Sequence, residues 1–193
     1  MSVRIRRASA ADAAEIGRVH VETWQSAYAG LLPDRTLVTM SDVRQSAWWT
    51  RVLADPQEAR GVFVADDEDM GIVGFGSCGP VREPPDGLNG TEARVGEIYT
   101  LYVEPDFQNR GLGRRLLDAM FRQLHADGCD TAVLWMLAAN PTRFFYEGMG
   151  GQTVGHRREP FAGTQVDEMA FAWRDLDLPL VRRKLAPGEE DQG

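Results

Sequence analysis

The chain has 193 residues, 43% of them hydrophobic and 26% charged, which fits one folded domain and excludes disordered, collagenous and disulfide-scaffold classes. Its net charge of −8 disfavours a phosphate-tracking surface for DNA or RNA and mildly favours cationic partners such as amines. Two cysteines, Cys78 and Cys129, and no apolar run of signal or membrane length give the expectation of a cytoplasmic protein with no membrane contact.

Val3 to Arg7 alternates apolar and basic residues as a short edge strand does, and Ser9 with Asp12 resembles a capping box. A helix is predicted from there to Tyr28, with Ile16, Val19, Thr23/Trp24 and Ala27 forming one buried stripe, and a second over Ser41 to Leu53. The β-rich runs Gly61–Ala65 and Gly71–Phe75 read as a hairpin, followed by a turn-rich surface loop from Arg82 to Arg94. A strand over Val95–Val103, a helix over Gly111–Ala126 and a strand over Thr131–Leu137 make one βαβ unit, whose strands should be parallel. A short helix over Pro141–Met149 precedes two strands, Thr153–Arg158 and Val166–Trp173, that should pair antiparallel. The predicted class is α/β: a mixed, mostly antiparallel sheet with one parallel βαβ unit and helices on both faces, in a single domain over 1–175. A partly disordered tail is expected from Leu176.

The chemistry is concentrated between Glu97 and Arg115. Leu112, Leu116, Leu117, Met120 and Leu124 share one helix face, so the first turn falls at Gly111 and Gly113, with unpaired N–H groups pointing into the loop. Such an end receives anions, and Arg110, Arg114 and Arg115 add cationic donors. The alternative is that the glycines only permit a tight strand-to-helix turn. A Walker loop would need Lys then Ser or Thr where Arg114 and Arg115 stand, and a Rossmann fingerprint would need Gly or Ala at Leu116.

Gln108-Asn109-Arg110-Gly111-Leu112-Gly113 resembles the Q/R-x-x-G-x-G/A signature of the GNAT superfamily of acyl-CoA-dependent N-acetyltransferases, and Asn140 followed by Phe145-Tyr146 and Gly150 resembles that family's second motif. The resemblance runs from about Val3 to Trp173. It implies a GNAT-like fold and acetyl-CoA as cosubstrate, held by Leu101, Tyr102 and Val103 along the pantetheine arm, by Gln108, Asn109, Arg110, Gly111, Leu112, Gly113 and Arg114 at the phosphates, and by Asn140. Asn140 could equally cap the helix that follows Pro141. Arg143 and Gly151 depart from the family, which usually has a small residue and an aromatic at those places.

The resemblance further implies Tyr146 as the general acid that protonates the CoA thiolate, against the alternative of a core aromatic at a helix end. It implies Glu97 as the base that takes the amine proton directly or through water, against a solvent-facing or ion-paired strand residue. Trp24, Tyr28, Trp48 and Trp49 either line an acceptor pocket or belong to the core. His20, His125 and His156 lack paired spacing, so no metal is expected. The predicted activity is acetyl transfer to a primary amine, small molecule or peptide N-terminus, by direct attack in a ternary complex, with a homodimer as the base-rate assembly. The alternative is a non-catalytic acyl-CoA-binding or sensing module, which would need the phosphate cradle but neither acid nor base.

Overall fold

The computed structural model describes residues 2–88, 93–161, 163–177 and 180. β1 (Val3–Arg7) leads through a 3-10 turn (Ala10–Asp12) into α1 (Ala13–Ala27). The Asp12 carboxylate accepts from the Ser9 N–H at 2.7 Å and from the Arg6 guanidinium at 2.8 Å, and Arg6 pulls the carboxyl down to about 2. The turn is thereby tied to the first strand. α2 (Asp34–Val38), α3 (Asp42–Ala54) and α4 (Pro56–Ala59) follow. The hydrophobic period predicts neither α2 nor α4, because four or five residues cannot display a full apolar stripe.

The sheet is built from β2 (Val62–Asp67), β3 (Gly71–Pro80), β4 (Val95–Val103), β5 (Thr131–Leu137), β6 (Gln152–Phe161) and β7 (Thr164–Arg174) together with β1. Its order is β1-β2-β3-β4-β5-β7-β6. Among the described residues only β4 and β5 run parallel, bridged by α5 (Leu112–Ala126), and α6 (Arg143–Gly148) joins β5 to β6. This is the mixed, mostly antiparallel sheet with helices on both faces that the pattern predicts.

Residue alternation separates the two faces. Val62 and Val64 of β2 pack with Ile16 and Val19 of α1 and Trp49 of α3, whereas Phe63 and Ala65 pack with Leu116, Leu117 and Met120 of α5. α1 and α5 therefore lie on opposite sides of the sheet. The tail expected from Leu176 lies mostly outside the described residues. Leu176 and Leu180, which are described, are buried in the α5-side core, where the Leu176 N–H reaches the Asp130 carbonyl at 3.2 Å.

Candidate active site

β4 and β5 pair only from Val95↔Thr131 to Glu97↔Val133, although β4 continues to Val103 and β5 to Leu137. Beyond Glu97 the two strands separate, while each keeps its outer partner, β3 and β7. A cavity of about 490 Å³ fills the opening. It is walled by Thr23 and Ala27 of α1 and the Tyr28 that caps it on one face of the sheet and by the start of α5 and residues of α6 on the other, so it passes through the sheet. Tyr99 to Val103 present their free backbone edge to it.

At the α5 end, Asn109 and Gly111 take left-handed backbone angles, with φ of 60° and 76°. Gly111 opens the helix without a side-chain cap, and the Arg115 N–H is the first to find the Gly111 carbonyl, at 3.1 Å. The N–H groups of Leu112, Gly113 and Arg114 thus face the cavity end. No acidic residue occupies that first turn, and Arg114 stands there exposed, against the dipole preference. An anion resolves both features at once.

The two glycines have different causes. Gly111 needs its positive φ and has open space around it, whereas a Cβ on Gly113 would meet the Phe145 ring at 3.2 Å. Gly113 lets α6 press against the start of α5. Gln108 closes the turn by donating from Nε2 to the Val103 carbonyl at 3.0 Å.

Tyr146 is buried in the cavity wall, and burial pushes its phenol well above the ordinary tyrosine range. Burial likewise raises Tyr28 and Tyr102. Asn140 lines the cavity, but its Oδ1 accepts from the Thr142 N–H at 3.0 Å and from the Thr142 hydroxyl. The oxygen end of this amide is thereby engaged in starting α6.

Of the residues implied for acetyl-CoA, Leu101, Tyr102, Val103, Gln108, Asn109, Gly111, Leu112, Gly113, Arg114 and Asn140 all line the cavity. Arg110 does not. Its guanidinium folds back to the Asp106 carbonyl at 2.8 Å and over the Phe107 ring. Glu97 is also outside the lining, 2% exposed, with its Oε2 accepting the Arg82 N–H at 2.9 Å and its Oε1 the Arg82 guanidinium. Both of its carboxylate oxygens are thus engaged by Arg82. The ion-paired alternative for Glu97 is the one the packing realises.

The aromatic candidates divide. Tyr28 lines the cavity; Trp24 packs against Tyr28 behind it. Trp49 is core with no exposure, and Trp48 is on the surface. Thr23, Ala27 and Trp135 carry no motif, and only the separation of β4 and β5 reveals them as lining residues. The missing aromatic after Gly150 is supplied from β7: the Trp173 indole occupies the space where a Cβ on Gly151 would sit, and its Nε1 donates to the Met149 carbonyl at 3.1 Å. Among the described residues, no group of three or more His, Cys, Asp or Glu is placed to hold a metal ion, and no helix is long and apolar enough to cross a membrane.

Residues 21–150 match the acetyltransferase (GNAT) family. YuaI of Bacillus subtilis, an uncharacterized N-acetyltransferase, is 30% identical over 175 residues, covering 90% of this chain and 94% of that protein. An aminoglycoside N(6')-acetyltransferase type 1 of Stenotrophomonas maltophilia is 36% identical over 126 residues, 65% of this chain and 69% of its own length. Among solved structures, the acetyltransferase yncA of Salmonella typhimurium, determined with its cofactor acetyl-CoA, has a TM-score of 0.64 at 22% identity, over 90% of this chain and 94% of that one.

Proposed function

The chain belongs to the GNAT family of acetyltransferases, and from that premise we propose that its acceptor is a primary amine, on a small molecule or a peptide N-terminus, which attacks the thioester directly in a ternary complex. The protein is an acetyl-CoA-dependent N-acetyltransferase. The observation that carries the acceptor reading is the cavity through the sheet, which lets two substrates enter from opposite faces and meet where β4 and β5 part.

On the α5 side, the uncapped N–H groups and Arg114 would hold the pyrophosphate. The free edge of Tyr99 to Val103 would pair with the pantetheine amides and supply the N–H that stabilises the oxyanion. Tyr146, held protonated by burial, would deliver its proton to the departing thiolate. Among the described residues the cavity wall contains no carboxylate, so desolvation lowers the affinity of an entering amine for its proton and favours the nucleophilic form. Glu97 would then act at a distance, receiving that proton through water once the Arg82 side chain, 67% exposed, swings away. The acidic surplus of the whole chain supports a cationic acceptor in solution.

The test is a turnover screen with acetyl-CoA against kanamycin, spermidine and an alanyl peptide, read as free thiol. Acceptor-dependent thiol release that follows saturation kinetics supports the reading. Acetyl-CoA binding with no amine-dependent release from any primary amine, including an expanded panel, contradicts it.

A further inference from the structure

Among the described residues, three threonines line the cavity: Thr23, Thr100 and Thr142. Two have partnered hydroxyls. Thr100 Oγ1 lies 2.7 Å from Ser77 Oγ, and the Thr142 hydroxyl bonds Asn140. Thr23 differs. It is 4% exposed, and its Oγ1 is buried with no hydrogen-bond partner among the described residues.

A helical threonine ordinarily satisfies its hydroxyl by bonding a carbonyl one turn back, which here would be that of Val19. Thr23 forgoes this bond. A buried hydroxyl left without a partner destabilises a fold, and valine would fill the same shape without that cost. Valine is moreover the residue one turn earlier on this stripe of α1, at Val19. Packing alone gives no reason for a threonine at this place.

Its position supplies one. Thr23 and Ala27 stand one turn apart on α1 and form the cavity wall on the sheet face opposite the α5 phosphate end. The groups around them are neutral: burial raises the Tyr28 and Tyr102 phenols, which keeps them protonated, and the Trp24 indole Nε1 is buried without a hydrogen-bond partner among the described residues. One χ1 step exchanges the methyl and hydroxyl of a threonine, and both arrangements are populated in helices. Little rearrangement is therefore needed to present Oγ to an occupant.

We propose that the Thr23 hydroxyl is a substrate-positioning contact, accepting an N–H of the acceptor amine as it enters from the α1 face and turning the nitrogen lone pair toward the thioester. This rests on the amine-acceptor reading above. With no carboxylate among the described residues of the wall, a hydroxyl orients the neutral amine without restoring its proton. The cavity would thus take an unhindered, uncharged primary amine at its neck, with any charge on the acceptor kept outside.

The experiment compares wild type with Thr23→Val and Thr23→Ser, using kanamycin, spermidine and an alanyl peptide as probe amines, and reads the thermal midpoint, the KM for acetyl-CoA and kcat/KM for each amine. The expected result for Thr23→Val is an unchanged or raised midpoint, an unchanged KM for acetyl-CoA, and a kcat/KM for the amine lowered about tenfold, the size of one lost hydrogen bond. Thr23→Ser should restore most of that loss. An unchanged kcat/KM in Thr23→Val overturns the proposal, as does an effect confined to the KM for acetyl-CoA, which would assign the hydroxyl to the cofactor. A lowered midpoint with the activity loss unrescued by Thr23→Ser also overturns it, because the role is then structural. If wild type binds acetyl-CoA and acetylates no amine, the amine reading itself fails and this inference with it; that result is seen without any variant.

Discussion

Glu97 and Arg82 are locked together: both carboxylate oxygens of the buried glutamate are taken by the backbone N–H and the guanidinium of the one arginine. Arg82 stands at the root of the turn-rich loop, with its guanidinium 4.5 Å over the ring of Tyr99, so the loop packs on a residue of the cavity wall. Removing the guanidinium leaves a buried carboxylate with one partner instead of several. Arg82→Ala is expected to lose about 1–3 kcal/mol of stability, measured by urea unfolding. Glu97→Gln separates structure from chemistry: the relayed-base role predicts a fall in kcat of about 100-fold with acetyl-CoA affinity intact, and a change under about threefold would leave Glu97 only its ion pair.

Tyr146→Phe removes the proposed acid while keeping the ring that packs against Phe171 and Trp173. The expected outcome is a fall in kcat of about 100-fold with little change in thermal midpoint or acetyl-CoA affinity. Because burial raises this phenol above its ordinary value, the group stays protonated as pH climbs. The wild-type rate should therefore show no loss from tyrosine ionisation up to about pH 10, the ordinary tyrosine value.

The start of α5 carries an exposed cation, Arg114, in a first turn without an acidic residue. Arg114→Gln should weaken acetyl-CoA binding about three- to tenfold by calorimetry, with a shallower dependence on salt. Gly111→Ala places a side chain at a φ of 76° and is expected to cost about 1–2 kcal/mol of stability through the backbone alone. Gly113→Ala meets Phe145, so its effect reports helix packing as well as the ligand, and it makes a poorer control for phosphate binding than Arg114→Gln.

His20 gives a stability prediction. It lies among Trp24, Trp49, Phe75 and Tyr102, accepts from Trp49 Nε1 at 3.4 Å, and burial pushes it down to about 4. In the unfolded chain the imidazole binds a proton near pH 6.5, where the folded protein does not. The unfolded state then holds more protons between about 6.5 and 4, so stability falls as pH drops through that window. The loss should approach about 3 kcal/mol at the lower end. His20→Gln should flatten that part of the profile, measured as unfolding free energy against pH.

The sequence made the fold legible where elements are long: the α5 stripe, the βαβ unit and the closing antiparallel pair all appear in the structure close to their predicted bounds. The uncapped start of α5 was legible because glycine and arginine leave an unusual composition at a helix start. The capping duty of Asn140 towards Thr142 was legible as one of its two alternatives, whereas Gly113 was only half legible, since its close approach to Phe145 is not revealed by spacing. Glu97 could not be placed from its strand position, because its partner Arg82 is 15 residues away in a loop. Thr23 was legible only as a member of the buried α1 stripe: its distinction is a missing hydrogen bond, and a missing bond is visible only in three dimensions. The same holds for Trp173, which fills from β7 the space that Gly151 leaves open.

The central claim is that acetyl-CoA enters the opening between β4 and β5 from the α5 side. Backbone hydrogen exchange with and without saturating acetyl-CoA tests it most directly. Protection is predicted in Tyr99–Val103 and in the first turn of α5, Leu112–Arg115, with the outer strand β1 (Val3–Arg7) unaffected. Binding that leaves both segments unprotected while protecting another part of the chain would contradict the account.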